Sequence, residues 1–409
     1  MRKIVIITII ALSCIKISAQ TITGVVYDKD TKEPIHGVYV YFDGTSIGDA
    51  TDISGRFSLT LKQMINTNLV FRHLAYRMLV IEDGLFIHLP DTIYLEEQFS
   101  TLSEVTVRAD GFNRRQRLRA FREQFLGMTR AGKACRIVNE DDIEVWFNVA
   151  TKTLRASSDH PIEVINEYLG YRVLFTLNDF RVEYSDVTLD PDRIQKAYFA
   201  VSSSFTDLKP NDAVIKKRRD DVYEESPNFF FKGLAYGSNP SNNTVFKLYK
   251  GAYQVDPRSY FTIKDSLSLK IIRISDAMIE RRNPDRSLLA LSIVHRDKPE
   301  EEGYYREMYY LRQGDPSNQN STNISQANNS RTNTSGVYAN NFASSVLELN
   351  RITLQNDNRM NYYRSDIRFF TNTLLVDQYG NIDKFDQVIF SGMMGWLRAG
   401  DMLPKDYEP

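Results

Sequence analysis

Histidine, cysteine and tryptophan are what this sequence has least of: five, two and two in 409 residues. Side chains suited to metal ligation or thiol chemistry are therefore scarce, which weighs against a metalloenzyme. A dominant charge is also missing. With 51 basic against 52 acidic residues the formal net charge is −1, so no global field draws in nucleic acid, and no nucleic-acid partner is expected. No Walker-type or Rossmann glycine series occurs. What is present is the arithmetic of a folded globular protein: 42% hydrophobic, 25% charged and 12% aromatic, the aromatics mostly 23 Tyr and 23 Phe. At about 150 residues per domain, this length predicts two or three domains, each with apolar material for its own core.

Arg2 and Lys3 precede the apolar run Ile4 to Leu12, and Ile17-Ser18-Ala19 before Gln20 places a small residue where signal peptidase cuts. Residues 1–19 read as a secretory signal peptide. The run falls well short of the roughly 20 residues that span a bilayer, so no transmembrane helix is expected in the mature chain. Cleavage removes Arg2, Lys3 and Lys16 and shifts the net charge from −1 to −4. Ala11-Leu12-Ser13-Cys14 offers the competing reading, a loose lipobox in which Cys14 is lipidated. If Cys14 leaves with the leader, Cys135 remains alone and forms no intramolecular disulfide; its strand-like setting, Lys133 to Val138, reads as a buried small hydrophobe.

From Thr21 to Glu97, short β-branched or aromatic runs alternate with Gly, Asp, Asn and Pro, the pattern of an all-β sandwich. Strands are expected at Ile22–Tyr27, Pro34–Phe42, after the tight turn at Gly55, at Asn68–Tyr76 and at Asp91–Leu95. The ordered series Gly24-Val25-Val26, Asp28, Pro34-Ile35, Gly37-Val38, Gly44-Thr45, Gly48, Thr51-Asp52, Gly55-Arg56-Phe57, Leu69-Val70-Phe71 and Ala75-Tyr76 resembles the carboxypeptidase-regulatory-like domain. Ala75 departs from the glycine usual in that family. The resemblance implies a seven-stranded, transthyretin-like β-sandwich over 20–98, of a type also found at the N-terminus of TonB-dependent outer-membrane transporters. It implies a fold and not an activity, because the module accompanies carboxypeptidases without being their catalytic domain. Leu102 to Ala109 looks like the connector between such a sandwich and a transporter plug, and 99–111 is read as a linker. A plug and 22-stranded barrel do not fit in the roughly 300 residues that follow.

Residues 112–409 read as a larger, mainly antiparallel β-rich domain with a few helices. Phe112–Leu126 fits a helix, with Leu118, Phe121 and Phe125 inward and Gly127 to stop it. Arg114, Arg115, Arg117, Arg119 and Arg122 make its polar face basic, either a solvated face or a dock for anionic lipid or an acidic partner. Strands follow at 143–149, 153–156, 162–165, 171–177, 180–184, 197–201, 268–274, 288–294 and 304–311. Ile215–Glu225 is a helix with Val222 and Tyr223 inward, and Phe229-Phe230-Phe231 is core. Residues 313–341 are too polar to pack and form a loop whose Asn320, Asn323 and Asn333 triplets reflect composition. Phe125-Leu126-Gly127, Leu154-Arg155-Ala156, Leu169-Gly170-Tyr171 and Gly400-Asp401-Met402-Leu403-Pro404 look like the second domain of secreted carboxypeptidase-regulatory-like proteins of Gram-negative bacteria, which carries over no catalytic residue.

His160-Pro161-Ile162-Glu163 has the bare His-x-x-Glu spacing of zinc carboxypeptidases, with His295 the only later histidine. Residues three apart on a strand point to opposite faces, so this pair chelates only from a turn, and it is not assigned as a site. Asp141-Asp142, Asp220-Asp221 and Glu300-Glu301-Glu302 read as solvated turns or helix ends. Asp28-Lys29-Asp30 and Asp377 to Asp383 read as polar turns ahead of calcium loops. Asp91-Thr92-Ile93 and Asp265-Ser266-Leu267 resemble a short bacterial O-glycosylation motif. No catalytic, cofactor-binding or metal-binding residue is assigned, and no cofactor is expected. The expectation is an exported, non-catalytic periplasmic or outer-membrane-associated protein that binds an envelope protein or a glycan. The alternatives are a glycan-binding surface protein with a platform among Tyr304, Tyr305, Tyr309 and Tyr310, or an envelope hydrolase with an unrecognised site.

Overall fold

The structure is a computed structural model that describes residues 20–82, 89–98, 111–237, 246–250, 253–266, 268–279, 291–295 and 364–409. The chain divides into two compact units, one of residues up to Phe42 with Ile47–Phe99, the other of Asp43–Ser46 with Ser100–Pro409.

In the first unit the alternation seen in the sequence becomes seven strands: β1 (Gln20–Asp28), β2 (Tyr39–Phe42), β3 (Gly48–Ala50), β4 (Arg56–Leu61), β5 (Leu69–His73), β6 (Tyr76–Ile81) and β7 (Thr92–Leu95). They form a three-stranded sheet in the order β4-β1-β7 and a four-stranded sheet in the order β3-β2-β5-β6. On β4, Phe57, Leu59 and Leu61 face in while Arg56, Ser58 and Thr60 face out, the period-two pattern of a sheet with one wet face. Phe57 of one sheet meets Phe71 of the other edge-on, ring centroids 5.5 Å apart. Each such fully buried side chain contributes roughly 1.5–3 kcal/mol. Among the described residues the expected seven-stranded sandwich is present, with its strands redistributed. Only the last four residues of Pro34–Phe42 are strand, since Pro34 makes just an isolated bridge to Tyr27. The run Asn68–Tyr76 breaks at Leu74 into β5 and the start of β6.

Among the described residues the second unit holds two hydrophobic cores. Around the first lie α1 (Arg114–Phe125), α2 (Arg130–Lys133), β8 (Cys135–Ile137), β9 (Ile143–Asn148), β10 (Thr153–Ser158), β11 (Ile162–Asn166), β12 (Tyr171–Tyr184) and β13 (Ile194–Asp207). The runs 171–177 and 180–184, separate in the sequence reading, are one strand: the register against β13 shifts between Leu177 and Asp179, so the polar Asn178-Asp179 pair is a bulge and not a turn. As the spacing predicts, α1 turns Leu118, Phe121 and Phe125 inward; Phe121 meets Phe180 at 4.8 Å and Phe125 meets Phe175 at 5.3 Å. Asn113 and Gln116 close a reciprocal capping box at its start.

Two helices lead to the second core: α3 (Ala213–Glu224), capped by Asp212, and α4 (Pro227–Tyr236), capped by Ser226 with Pro227 at its first position. The Phe229–Phe231 run is the start of α4, and Phe230 and Phe231 are fully buried. There follow β14 (Phe246–Lys250), β15 (Tyr253–Val255), β16 (Phe261–Ser266), β17 (Leu269–Ile274), β18 (Leu291–His295), β19 (Arg364–Phe369), β20 (Thr373–Val376), β21 (Val388–Gly392) and α5 (Met393–Trp396). The order is β15-β14-β18-β19-β21 in one sheet and β16-β17-β20 in another, and Phe261 and Phe369 meet edge-on between them at 5.7 Å. After α5 the chain returns to the first core, where Ala399 is buried with Met402 and Leu403 packed beside it. Residues 1–19, most of the 99–111 linker, Tyr304 to Tyr310 and the polar stretch 313–341 lie outside the described residues. Among the described residues no helix is long and apolar enough to cross a membrane.

Candidate functional site

At one end of the first unit, three turns are brought together by strand register. Tyr39 of β2 pairs with Ala50 on one side and Arg72 on the other, so the turns after β3 and β5 share an end. The turn after β1 joins them through the Tyr76 hydroxyl, which donates to Asp28 at 2.8 Å. Each turn is locked by its own polar groups. Asp28 Oδ1 accepts the amides of Asp30 and Thr31, making this stretch the polar turn expected. Asp52 Oδ1 accepts those of Ser54 and Arg56, with Gly55 at φ +73° completing the reversal. The Ala75 amide donates to His73 Nδ1, and the His73 ring meets Tyr76 at 5.2 Å.

These fixed turns hold two aliphatic side chains in water: Ile53 is 82% exposed and Leu74 73%. Around them, hydrogen bonds from the Thr31 amide and then the Tyr76 hydroxyl hold the Asp28 carboxyl below its ordinary range. Burial, followed by the Asp28 bond, pushes Tyr76 up to about 12. Burial and then the nearby His36 lower His73. The sequence shows the turns after β1 and β3 but reads Leu74 as part of a continuous strand, so neither the third turn nor the exposed pair is expected from it.

The residues weighed as a metal site do not converge. His160 Nδ1 lies 4.0 Å from Asp142, while Glu163 on β11 is ion-paired with Arg172 of β12 at 2.8 Å. His295 ends β18 in a different sheet. Among the described residues there is no group of three or more His, Cys, Asp or Glu side chains able to hold a metal ion. Cys135 opens β8 and packs half-buried against the first core, less covered than the buried small hydrophobe expected; burial, and then Asp401, push its thiol up to about 12. The basic face of α1 is largely used within the chain: Arg114 donates to the Ile143 and Glu140 carbonyls, Arg117 to that of Phe112, and Arg119 and Arg122 pair with Glu123 and Glu140. Asp377 accepts the Tyr379 and Asn381 amides, again a turn. Asp220 is bonded by Lys216 and by the Tyr407 hydroxyl.

Sequence reasoning misses Ser46, which occupies the Gly-x-Ser-x-Gly spacing Gly44-Thr45-Ser46-Ile47-Gly48. A nucleophile elbow needs a strand-to-helix turn and a histidine base. Here the serine lies between two antiparallel strands, and its hydroxyl and amide both donate to Asp406, at 2.5 and 2.9 Å. A strand-to-strand turn with an aspartate partner is not the nucleophile-elbow arrangement.

Residues 22–107 match the family model of the CarboxypepD_reg-like domain, which covers the first unit's strands and runs on into the linker. A search of curated proteins returns no match. The N-terminal part of the chain is thus a regulatory-like β-sandwich module of a non-catalytic type.

Proposed function

We propose that this is an exported protein of the bacterial envelope, periplasmic or associated with the outer membrane, that works by binding another envelope protein and not by catalysis. The observation that carries the reading is the pair Ile53 and Leu74, held in water on rigid turns at one end of the sandwich. Isolated exposed apolar residues are ordinary, but two on neighbouring hydrogen-bonded turns form a preorganised contact that loses little entropy on binding. The charged leader, Arg2 to Ala19, supports export. The test is cross-linking and pull-down from intact envelopes with the full chain and an Ile53→Ser, Leu74→Ser double variant. A partner captured by the former and lost by the latter supports the reading; equal capture, or hydrolase activity of the purified protein, overturns it.

A second reading, glycan binding, is favoured by the outer face of the β4-β1-β7 sheet. Tyr27 and Tyr94 sit opposite each other in register with ring centroids 6.2 Å apart, and Tyr94 is 47% exposed. Lys32 Nζ lies 4.5 Å from the Tyr94 ring, so a sugar must displace it to stack there. A glycan array probed with the protein and with Tyr94→Ala separates the two readings.

A further inference from the structure

The C-terminal segment of the second unit joins its two cores. Met394 belongs to the second core and Ala399 to the first. Between them the chain is seated by backbone: the Gly400 amide donates to Leu126 O at 3.1 Å, and Asn166 Nδ2 donates to Gly400 O at 2.8 Å. The fit leaves no slack. A Cβ on Gly400 would stand 2.4 Å from Leu126 O and 2.6 Å from Gly132 Cα.

The side chain at the centre of this seat is a carboxylate. Asp401 is buried; its Oδ1 accepts the Thr129 hydroxyl at 2.5 Å and its Oδ2 the Arg398 amide at 3.0 Å. Burial is the largest influence on its charge, and Thr129, Arg398 and Glu225 modify it. Arg398, from its own turn, favours ionisation, but the guanidinium also donates to Gly395 O and Leu397 O. Thr129, from the start of α2, favours ionisation through its hydrogen bond. Glu225, capping α3, opposes it. Cys135, from β8, faces Asp401 as a neutral thiol. Arg130 and Lys133 of α2 are exposed.

We propose that Arg398–Leu403 is a proton-operated latch: with the Asp401 carboxyl neutral the segment stays seated on the first core, and ionisation of that carboxyl loosens it. Burial outweighs the hydrogen bonds and Arg398, and pushes Asp401 up to about 6 from 3.8. The proton is therefore held more tightly in the seated state than in the released one. Release becomes easier as pH rises from about 4 to about 6 and levels off above. A rise of about two units corresponds to up to about a hundredfold in the opening equilibrium.

Hydrogen exchange of the peptide spanning 397–403, in the full chain and corrected for intrinsic rates, reads this directly. The wild type should lose up to about a hundredfold of protection between pH 4 and 6. Asp401→Asn, which cannot ionise, should show a flat profile over that range. Thr129→Val removes a bond to the ionised form, so its loss of protection should continue to higher pH. A flat wild-type profile, or the same slope in Asp401→Asn, overturns the latch. Should Asp401→Asn fail to fold, a Thr129→Val profile with no upward displacement overturns it equally.

Discussion

Arg219 donates two hydrogen bonds, each 2.7 Å, to the carboxylate of Asp207, and its guanidinium lies 3.9 Å from the centroid of the Tyr171 ring. Its Nε also donates to Leu169 O at 2.7 Å, so one side chain of α3 fastens the end of β13 and the turn before β12. Arg219 is 4% exposed, whereas the Asp207 side chain is about a third exposed. Water therefore partly compensates the carboxylate when its partner is lost, and Arg219→Met should cost about 2–3 kcal/mol, below the usual figure for breaking a fully buried pair. A lower urea midpoint at unchanged slope checks this. Burial pulls the Asp207 carboxyl upward, but the Arg219 bonds outweigh it and hold the group below its ordinary value. The pair's contribution is thus complete above about pH 4 and lost as pH falls through the lowered native value, so the gap between wild type and Arg219→Met should narrow in acid.

Two glycines with positive φ should respond differently to alanine. Gly37, at φ +78°, has open space where a Cβ would go, so Gly37→Ala should cost only the left-handed backbone term of about 1–2 kcal/mol. Gly380, at φ +92°, would place a Cβ 2.0 Å from Asn228 O, which is backbone at the start of α4. Gly380→Ala should exceed about 3 kcal/mol, because a helix start must move as well. Parallel thermal melts of the two variants decide it; equal shifts would mean that α4 yields easily.

What was legible in the sequence is what short-range periodicity encodes. Arg56–Leu61 alternates strictly and is β4; Leu118, Phe121 and Phe125 repeat helically and line α1. Gly48–Ala50 was not legible, because all three residues are exposed and none marks an inward face. Tyr76–Ile81 has the same difficulty in another form, since its apolar residues are half-buried on both faces. Asn178-Asp179 carries turn chemistry that the sheet absorbs as a bulge. Thr129 and Asp401 are 272 residues apart, and no local pattern announces such a pairing.

The Tyr76 hydroxyl ties β6 to the turn after β1 through Asp28. Tyr76→Phe keeps the ring beside His73 and removes only that bond, so it should lower stability by about 1 kcal/mol. The Asp28 carboxyl should still titrate below its ordinary range in the variant, because the Thr31 amide is the larger cause of its lowering. An NMR titration of Asp28 checks the second statement; a return to the ordinary value would make the tyrosine the main donor.

Cys135 donates its thiol hydrogen to Ala131 O at 3.2 Å and sits close enough to Asp401 for that carboxyl to oppose thiolate formation. Burial is the larger cause, and together they raise the thiol from 9.0 to about 12. Since the thiolate is the reacting species, three units should make alkylation at pH 7.5 roughly a thousandfold slower than for a free cysteine, and unfolding in denaturant should restore the ordinary rate. Timed labelling with iodoacetamide under both conditions measures the ratio. A native rate near that of a free thiol would show a thiol that ionises readily in the folded protein, against the raised value that burial and Asp401 give it.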